Sequence, residues 1–205
     1  MGYYARKSSL LQSGMLLSDQ RITLRAPEPE DLELLYEWEN LTQYWETGNT
    51  RQPWSRYALK QYISDCTQDI YESRQLRLMI VDNASGEIAG TVDLFDFDLH
   101  HSRIALGLFV APGHKEKGYA SAALHLTEAY IFDFLKINQL YCHIACTNTA
   151  SIRMFTHENF EAVVLRNWIR TRTGFEDVVL FQQFAGDYKR KTVGQANSAL
   201  LNKEK

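Results

Sequence analysis

The sequence predicts an α/β protein with one mixed, mostly antiparallel central sheet flanked by about four helices. Three observations carry this prediction. The 205 residues, 45% of them hydrophobic, suffice for one substantial core and not for two. Strand-like segments dominate, with two helical segments near the front and one after each of two central strands. One of those strands ends in a glycine-containing loop that opens directly into a helix.

The apolar pattern also predicts the domain boundaries. We expect the folded domain to span residues 21–186, because residues 1–20 add little to the core pattern. The segment 187–205 is polar and has no sustained apolar period, so we expect a mobile tail there.

In the first half of the chain, residues 21–25 alternate as a short strand and residues 27–31 form a helix-start cluster. Leu34, Leu35, Trp38 and Leu41 then recur at helical spacing. A second helix is predicted after Pro53, with Ser55 as its N-cap. Residues 76–81 and 88–97 read as two strands joined by a turn at 83–86, which predicts a hairpin.

In the second half, a strand over 104–110 runs through a charged loop into the helix that starts after Gly118. The run LYCHIAC, from Leu140, is strand-like, and Asn148 is placed to open a short helix through Phe155. Two further strands, 162–171 and 175–184, are predicted around the turn at Thr173 and Gly174.

Composition excludes several classes of protein. No apolar run reaches membrane-spanning length and the first residues lack a secretory signal, so we expect a cytoplasmic protein with no membrane partner. The three cysteines are an odd number without zinc spacing, which predicts reduced structural thiols and no metal site.

Net charge is −3, and the segment between Arg25 and Arg51 carries seven carboxylates without a Lys or Arg. We expect this segment to repel nucleic acid and to form either a solvated face or a cation-binding wall.

The most informative segment is VAPGHKEKGYASAAL, which begins at Val110. Gly113 and Gly118 match half of a P-loop, but Tyr119 and Ala120 replace the Lys and Ser/Thr that would hold phosphate and magnesium. An ATPase is therefore excluded, and the lone glycine in the turn also excludes a dinucleotide-binding fingerprint. Two interpretations remain: an ordinary strand-to-helix turn, or an anion cradle of main-chain amides at a helix N-terminus.

The order of strand, charged loop, Gly118-Tyr-Ala, helix, strand, Asn148, short helix and Phe160 resembles the GNAT superfamily of acetyl-CoA-dependent N-acetyltransferases. The similarity covers residues 21–184 and is greatest to the spermidine/spermine and ribosomal-protein branches. The resemblance implies a GNAT fold with splayed central strands, acetyl-CoA as donor, and an amine acceptor that is polyamine-like or peptidic. Many relatives form oligomers, so a homo-oligomer is also expected.

The resemblance implies a set of donor-binding positions. The strand edge would pair with the pantetheine arm, the loop amides would bind the diphosphate, and the Asn-led helix would flank the thiol. In this chain these positions are Leu108, Phe109 and Val110, then Lys115, Glu116, Lys117, Gly118, Tyr119, Ala120 and Ser121, then Asn148, Ser151 and Phe155. The Val110 amide would stabilise the oxyanion formed when the amine attacks the thioester.

The chain departs from the family pattern at two catalytic positions. Phe155 stands where many relatives have a tyrosine acid, and Ala105 where many have a glutamate. Asp93 is the replacement base that we consider, because Phe95 and Phe97 would share its strand face and give it an apolar setting; the alternative is that Asp93 pairs with Arg103 or caps the hairpin. The acceptor would be bound by acidic and aromatic side chains, namely Glu37, Trp45, Glu46, Asp93 and Tyr141.

Three other interpretations remain open. The first is a GNAT scaffold that binds acyl-CoA with little or no turnover, for which Ala105 and Phe155 are the motivating features. The second is a structural protein that does not use CoA. The third is a covalent route through Cys142 or Cys146 with His143, which we disfavour because neighbouring residues in a strand point to opposite faces. His143 itself is expected to be a core histidine.

Overall fold

A seven-stranded mixed sheet forms the centre of the protein in a computed structural model that describes residues 16–45, 50–66 and 68–192. The strand order is β1-β2-β3-β4-β5-β7-β6, and every neighbouring pair is antiparallel except β4 and β5. The strands are β1 Ile22–Arg25, β2 Leu76–Asp82, β3 Ile88–Asp98, β4 Arg103–Val110, β5 Gln139–Ala145, β6 Glu161–Thr171 and β7 Gly174–Phe184. The predicted single α/β domain is confirmed.

The described residues form six α-helices, which pack on the two faces of the sheet. They are α1 Leu32–Glu39, α2 Arg56–Asp65, α3 Ile70–Ser73, α4 Tyr119–Glu128, α5 Thr149–His157 and α6 over residues 185–192. α4 continues as a π-helical segment over Ala129–Phe134.

Strand alternation decides which helices cover which face. On one face Ile104, Leu106 and Leu140 join the main core beneath α4 and α5. On the other face Met79 packs with Leu35 of α1 and Ile63 of α2 in a second cluster. We call the face of the sheet that carries Met79 the α1/α2 face, because α1 and α2 pack against β2 on that face.

Helix starts follow their local chemistry. Glu28 and Asp31 form a reciprocal capping box before α1, and Ser55 Oγ accepts from the Ala58 amide at the start of α2. Both starts were predicted. The short helix α3 was not, although Asp69 accepts from the Tyr71 amide as its N-cap.

The central strands separate as the resemblance implied. β4 and β5 pair only through Arg103–Gln139, Ile104–Leu140 and Ala105–Tyr141. Beyond Ala105 each strand continues without a partner in the other, so the sheet opens into a wedge between residues 106–110 and 142–145.

Both ends of the domain differ from the sequence prediction. Within the expected tail 187–205, residues up to 192 form part of α6, because the Tyr188 ring is 8% exposed and packs 5.1 Å from the Phe132 ring. At the other end Leu17, within the expected extension, packs against the core, and its carbonyl accepts from the Leu24 amide. No helix in the described ranges is long and apolar enough to cross a membrane.

Candidate functional site

The loop after β4 has the backbone geometry of an anion cradle. A 3-10 turn over Pro112–His114 leads to Glu116 and Gly118, which both have left-handed backbones with φ of 62° and 77°. α4 begins immediately after Gly118, and the first N–H groups of a helix have no intrahelical acceptor. The loop and helix start therefore present clustered donors where the helix dipole favours negative charge.

Arg21 supports this loop from β1's side of the sheet. Its guanidinium donates to the Lys117 carbonyl and lies 5.5 Å from the Tyr119 ring centre. The Tyr119 hydroxyl donates to Asp82. This bond, together with the Ser85 and Ala84 amides, lowers the pKa of Asp82 to about 2. Of the expected donor-binding positions, Tyr119 therefore offers its amide to a ligand, whereas its side chain belongs to the scaffold.

Lys115 connects the loop to an aromatic cluster on the α1/α2 face. Its Nζ lies 3.3 Å from the Tyr44 hydroxyl and 5.4 Å from the Tyr44 ring centre. Phe109 packs against Tyr44 and Trp38, with ring centres 5.5 and 5.3 Å away. Lys115, Glu116 and Lys117 are exposed, so the two ammonium groups are available to an anion in solvent.

Ladder alternation identifies which β4 groups face the wedge. The Ala111 amide donates to the carbonyl of Ala89 in β3. In an antiparallel pair, every second residue of a strand directs its N–H and C=O groups to the neighbouring strand, and the residues between direct theirs away. Val110 and Leu108 therefore direct their N–H and C=O groups away from β3, toward the unpaired edge. Phe109 directs its backbone to β3 instead, so the structure corrects the expectation that all three residues would pair with an extended ligand.

Gly90 in β3 is required by the close approach of β4. A Cβ at this position would lie 2.0 Å from the Phe109 carbonyl oxygen and 3.0 Å from the Val110 Cα. Both contacts are with backbone, which cannot move aside as a flexible side chain could. The position of the Val110 amide thus depends on a glycine that the sequence analysis did not single out.

Of the expected donor-binding residues after β5, Asn148 caps a helix and Phe155 lies in the core. Asn148 Oδ1 accepts from the Ser151 amide at 3.2 Å, so this side chain caps α5. Phe155 is 2% exposed, with its ring centre 5.1 Å from Phe160 and 5.6 Å from Phe181. The aromatic ring at the family's tyrosine position is a core side chain that has no hydroxyl to donate.

Asp93 lies on the α1/α2 face in an ionic cluster, which corrects the expected apolar setting. Arg77 Nε lies 2.5 Å from Asp93 Oδ1, and Arg77 Nη1 lies 2.5 Å from Glu39 Oε1. The Arg77 side chain is 16% exposed and that of Asp93 is 26% exposed. Burial alone would lower the pKa of Arg77, but the two carboxylates and the Tyr62 hydroxyl raise it. We call Glu39, Arg77 and Asp93 the carboxylate–guanidinium cluster.

A β-bulge explains why the predicted neighbours of Asp93 were partly wrong. Asp96 has φ of 49°, and the β3–β4 register shifts between Phe95 and Asp98. Phe97 is therefore turned into the main core, while Phe95 stays on the face of Asp93 and is 39% exposed. Arg103 pairs with Asp98 at 3.2 Å and not with Asp93.

Three of the six described carboxylates in the acidic segment around α1 are paired with arginines. Asp31 pairs with Arg25, Glu33 with Arg56 and Glu39 with Arg77. Of the other expected acceptor residues, Glu37 is exposed, and Trp45 Nε1 donates to the Glu39 carbonyl at 2.9 Å. Tyr141 lies on β5, and Glu46 lies outside the described residues.

Cys142 is not placed to act as a nucleophile with His143. All three thiols are free, and Cys142 is 2% exposed in the main core, where burial raises its pKa. His143 is exposed and lies on the opposite face, which corrects the expectation of a core histidine and separates it from the Cys142 thiol. Within the described ranges no group of three or more His, Cys, Asp or Glu side chains could hold a metal ion.

Comparison with known proteins identifies the family. A family model for the acetyltransferase (GNAT) domain matches residues 21–161. A spermidine N(1)-acetyltransferase from Vibrio cholerae is 24% identical over 146 residues, which cover 69% of this chain and 80% of that protein. An uncharacterized N-acetyltransferase from Bacillus licheniformis is 25% identical over 182 residues, 84% of this chain and 97% of that protein.

Solved structures share the fold at lower identity. The Vibrio cholerae spermidine N-acetyltransferase in complex with CoA and spermine has a TM-score of 0.74 and 21% identity, over 83% of this chain and 99% of that chain. A dodecameric structure of spermidine N-acetyltransferase from the same organism has a TM-score of 0.69 and 23% identity, over 83% and 97%. Because the family model spans more than half of the chain, the protein belongs to the GNAT family and is an acetyl-CoA-dependent acetyltransferase.

Proposed function

We propose that this acetyltransferase transfers the acetyl group to a primary amine of a linear polyamine. The observation that carries the proposal is the wedge between β4 and β5, which has an amide cradle at one end and the carboxylate–guanidinium cluster beside its floor. Relatives that act on spermidine, and a structural neighbour that binds CoA and spermine, support the same acceptor class.

The donor side of the proposal rests on main-chain groups. An extended pantetheine arm can pair with the outward N–H and C=O groups of Leu108 and Val110, as peptides pair with sheet edges. The amides of Gly118, Tyr119, Ala120 and Ser121 would receive the diphosphate, with Lys115 and Lys117 supplying positive charge. Binding of this kind needs few specific side chains, because main-chain amides supply most of the donors.

The acceptor side rests on net charge beside Gly107. Asp93 opposes Gly107 in the β3–β4 ladder, and a Cβ on Gly107 would lie 3.4 Å from the Asp93 Cβ. Because the cluster holds two carboxylates and one guanidinium, it carries one net negative charge. Asp93 Oδ1 is bonded to Arg77, whereas Oδ2 has a 3.4 Å contact with the Thr91 hydroxyl, which leaves it able to accept from an ammonium.

The chemistry is a direct transfer. An ammonium group first loses a proton, for which Asp93 and solvent are the available acceptors, and the neutral nitrogen attacks the thioester carbonyl. The C–N bond forms and the C–S bond breaks. The attacking nitrogen releases its second proton to solvent or to Asp93, which leaves a neutral amide, and the thiolate takes a proton from solvent. Since a thiol has a pKa of about 8.5, the thiolate is a tolerable leaving group without an acid, which makes Phe155 compatible with turnover.

An assay of CoA release tests this proposal. Purified protein is incubated with acetyl-CoA and spermidine, putrescine, an aminoglycoside or an N-terminal peptide, and free thiol and acetylated product are measured. We expect release that saturates with the polyamines and a matching monoacetyl product. Release with peptides alone would contradict the polyamine assignment, and background release with every amine would contradict amine acetylation.

A second candidate is an acyl-CoA-binding domain with little turnover, which the buried Phe155 and Ala105 favour. Calorimetry would then show tight CoA binding beside background release.

The dodecameric neighbour and the free thiols lead us to include a homo-oligomer and a reducing, cytoplasmic location in the proposal. Light scattering on the eluted protein tests the first of these.

A further inference from the structure

An aromatic strip lies across the wedge from Asp93 and has no role in the donor site. Tyr141 and His143 project from the same face of β5, with ring centres 5.7 Å apart at 89°. The Trp168 ring from β6 stacks on His143 with centres 5.9 Å apart and planes 9° apart. Trp168 is 59% exposed, so the outer face of a large π-system is open to solvent. We call Tyr141, His143 and Trp168 the aromatic strip.

Strand register places the strip opposite the carboxylate–guanidinium cluster. Asp93 pairs with Gly107, and continuing the parallel pairing of Ala105 with Tyr141 sets Gly107 opposite His143. Two strand spacings therefore separate Asp93 from His143, about 10 Å before the splay is added. Ala105 and Gly107 contribute no side chain longer than a methyl group to the floor between them. The Phe95 ring, which is 39% exposed, lies over part of this floor, with its Cε1 3.5 Å from where a Cβ on Gly107 would be.

Charge at the strip favours a cation. Asp96 is exposed and has no ion-pair partner among residues 16–45, 50–66 and 68–192. Although the His143 residue is exposed, its ring is partly desolvated between Tyr141 and Trp168, which lowers the pKa of His143 and favours the neutral imidazole near neutral pH. Asp96 is the charged group that acts on this ring. Asp96 and Asp98 also act on Tyr141, and the nearby Arg103 is paired with Asp98. A neutral ring stack beside unpaired acidic charge attracts an ammonium through the π-face and the carboxylate together.

We infer that the aromatic strip and Asp96 bind the distal ammonium group of a linear polyamine whose reacting amine is held near Asp93. This inference rests on the proposed function and adds a binding site for the non-reacting end. The spacing across Gly107 suits an acceptor with two charged nitrogens joined by a short alkyl chain. A monoamine of the same length would leave the strip unused.

Kinetics with matched acceptors test the inference. Trp168→Ala should raise KM for putrescine and spermidine about 3- to 30-fold, the range expected when a cation loses an aromatic face, with kcat unchanged. The kcat/KM for butylamine should not change. Asp96→Asn should show the same selectivity with a smaller effect, and Trp168→Phe should recover part of the loss. Phe175→Ala is the matched control, because Phe175 is a 64% exposed aromatic on the same hairpin and lies outside the strip.

Failure of this inference can be distinguished from failure of the proposed function. Equal losses for diamine and monoamine, no change, or a change of oligomeric state in Trp168→Ala would overturn the inference. Spermidine binding is measured in parallel by calorimetry on the CoA-bound protein. If the wild type binds spermidine in a Trp168-dependent manner without acetylating it, the inference stands and the proposed function fails. If it acetylates polyamines independently of Trp168, the reverse holds.

Discussion

Gly118→Ala provides the sharpest test of the amide cradle, because Gly86 offers a matched control. Both glycines have left-handed backbones, with φ of 77° and 74°. An added Cβ at Gly86 would meet nothing within 4 Å, whereas one at Gly118 would lie 2.7 Å from Arg21 Nη1. A left-handed backbone costs a residue with a Cβ about 1–2 kcal/mol. Both variants should therefore lose about 2–8 °C in Tm, given the size of the domain.

The two variants should differ in donor binding. The Arg21 guanidinium can rotate away from the new Cβ, but it then loses its bond to the Lys117 carbonyl, and the loop amides move. Losing one hydrogen bond to a charged phosphate costs about 1.5–3 kcal/mol, so KM for acetyl-CoA should rise at least about tenfold in Gly118→Ala. Gly86→Ala should keep the wild-type KM. Calorimetric melting and acetyl-CoA titrations measure both quantities, and an unchanged KM in a folded Gly118→Ala would refute the cradle.

Four further substitutions test other contacts. Phe155→Tyr should raise kcat by up to about 100-fold if the hydroxyl protonates the thiolate, and an unchanged kcat in stopped-flow thiol release would show that this acid is not limiting. Asp93→Asn should lower kcat/KM for polyamines about 10- to 100-fold, because Arg77 stays paired with Glu39 and the fold is kept. Arg77→Met removes the cation between two carboxylates, so urea denaturation should show a free energy of unfolding lower by about 3–5 kcal/mol. Burial raises the pKa of Glu128, so the folded state gains stability at low pH and loses it as pH rises through that pKa; Glu128→Gln should raise Tm at pH 7, and the gain should vanish below about pH 4.

The order of elements and the donor loop were accessible from the sequence because they depend on local periodicity and local backbone chemistry. The strand before Pro112, the left-handed glycine and the helix behind it are contiguous, so their pattern specifies their arrangement. The splay of β4 and β5 came from the family resemblance and not from periodicity. Ser55 as a cap was also a local signal, and the structure confirms it.

The partners of the acceptor-side residues were inaccessible because they lie far apart in sequence. Arg77 joins Glu39 and Asp93, which are 38 residues before it and 16 residues after it. The bulge at Asp96 reversed the side of Phe97, since one extra residue in a strand moves every later side chain to the other face. Trp168 could not be linked to His143 for a similar reason, because β6 shifts register against β7 between Leu165 and Ile169.

These long-range pairs change the basis on which the protein would select a cationic acceptor. The carboxylate run on and around α1 suggested selection by bulk negative charge, but three of its members are paired with Arg25, Arg56 and Arg77. Within each pair the opposite charges largely cancel at a distance, and salt screens what remains within about 10 Å. Under the proposed assignment, selection would depend on Asp93, held by Arg77, and on the exposed carboxylate of Asp96. Fixed charges in two places distinguish acceptors by the spacing of their nitrogens, and a diffuse acidic surface would distinguish them only by total charge.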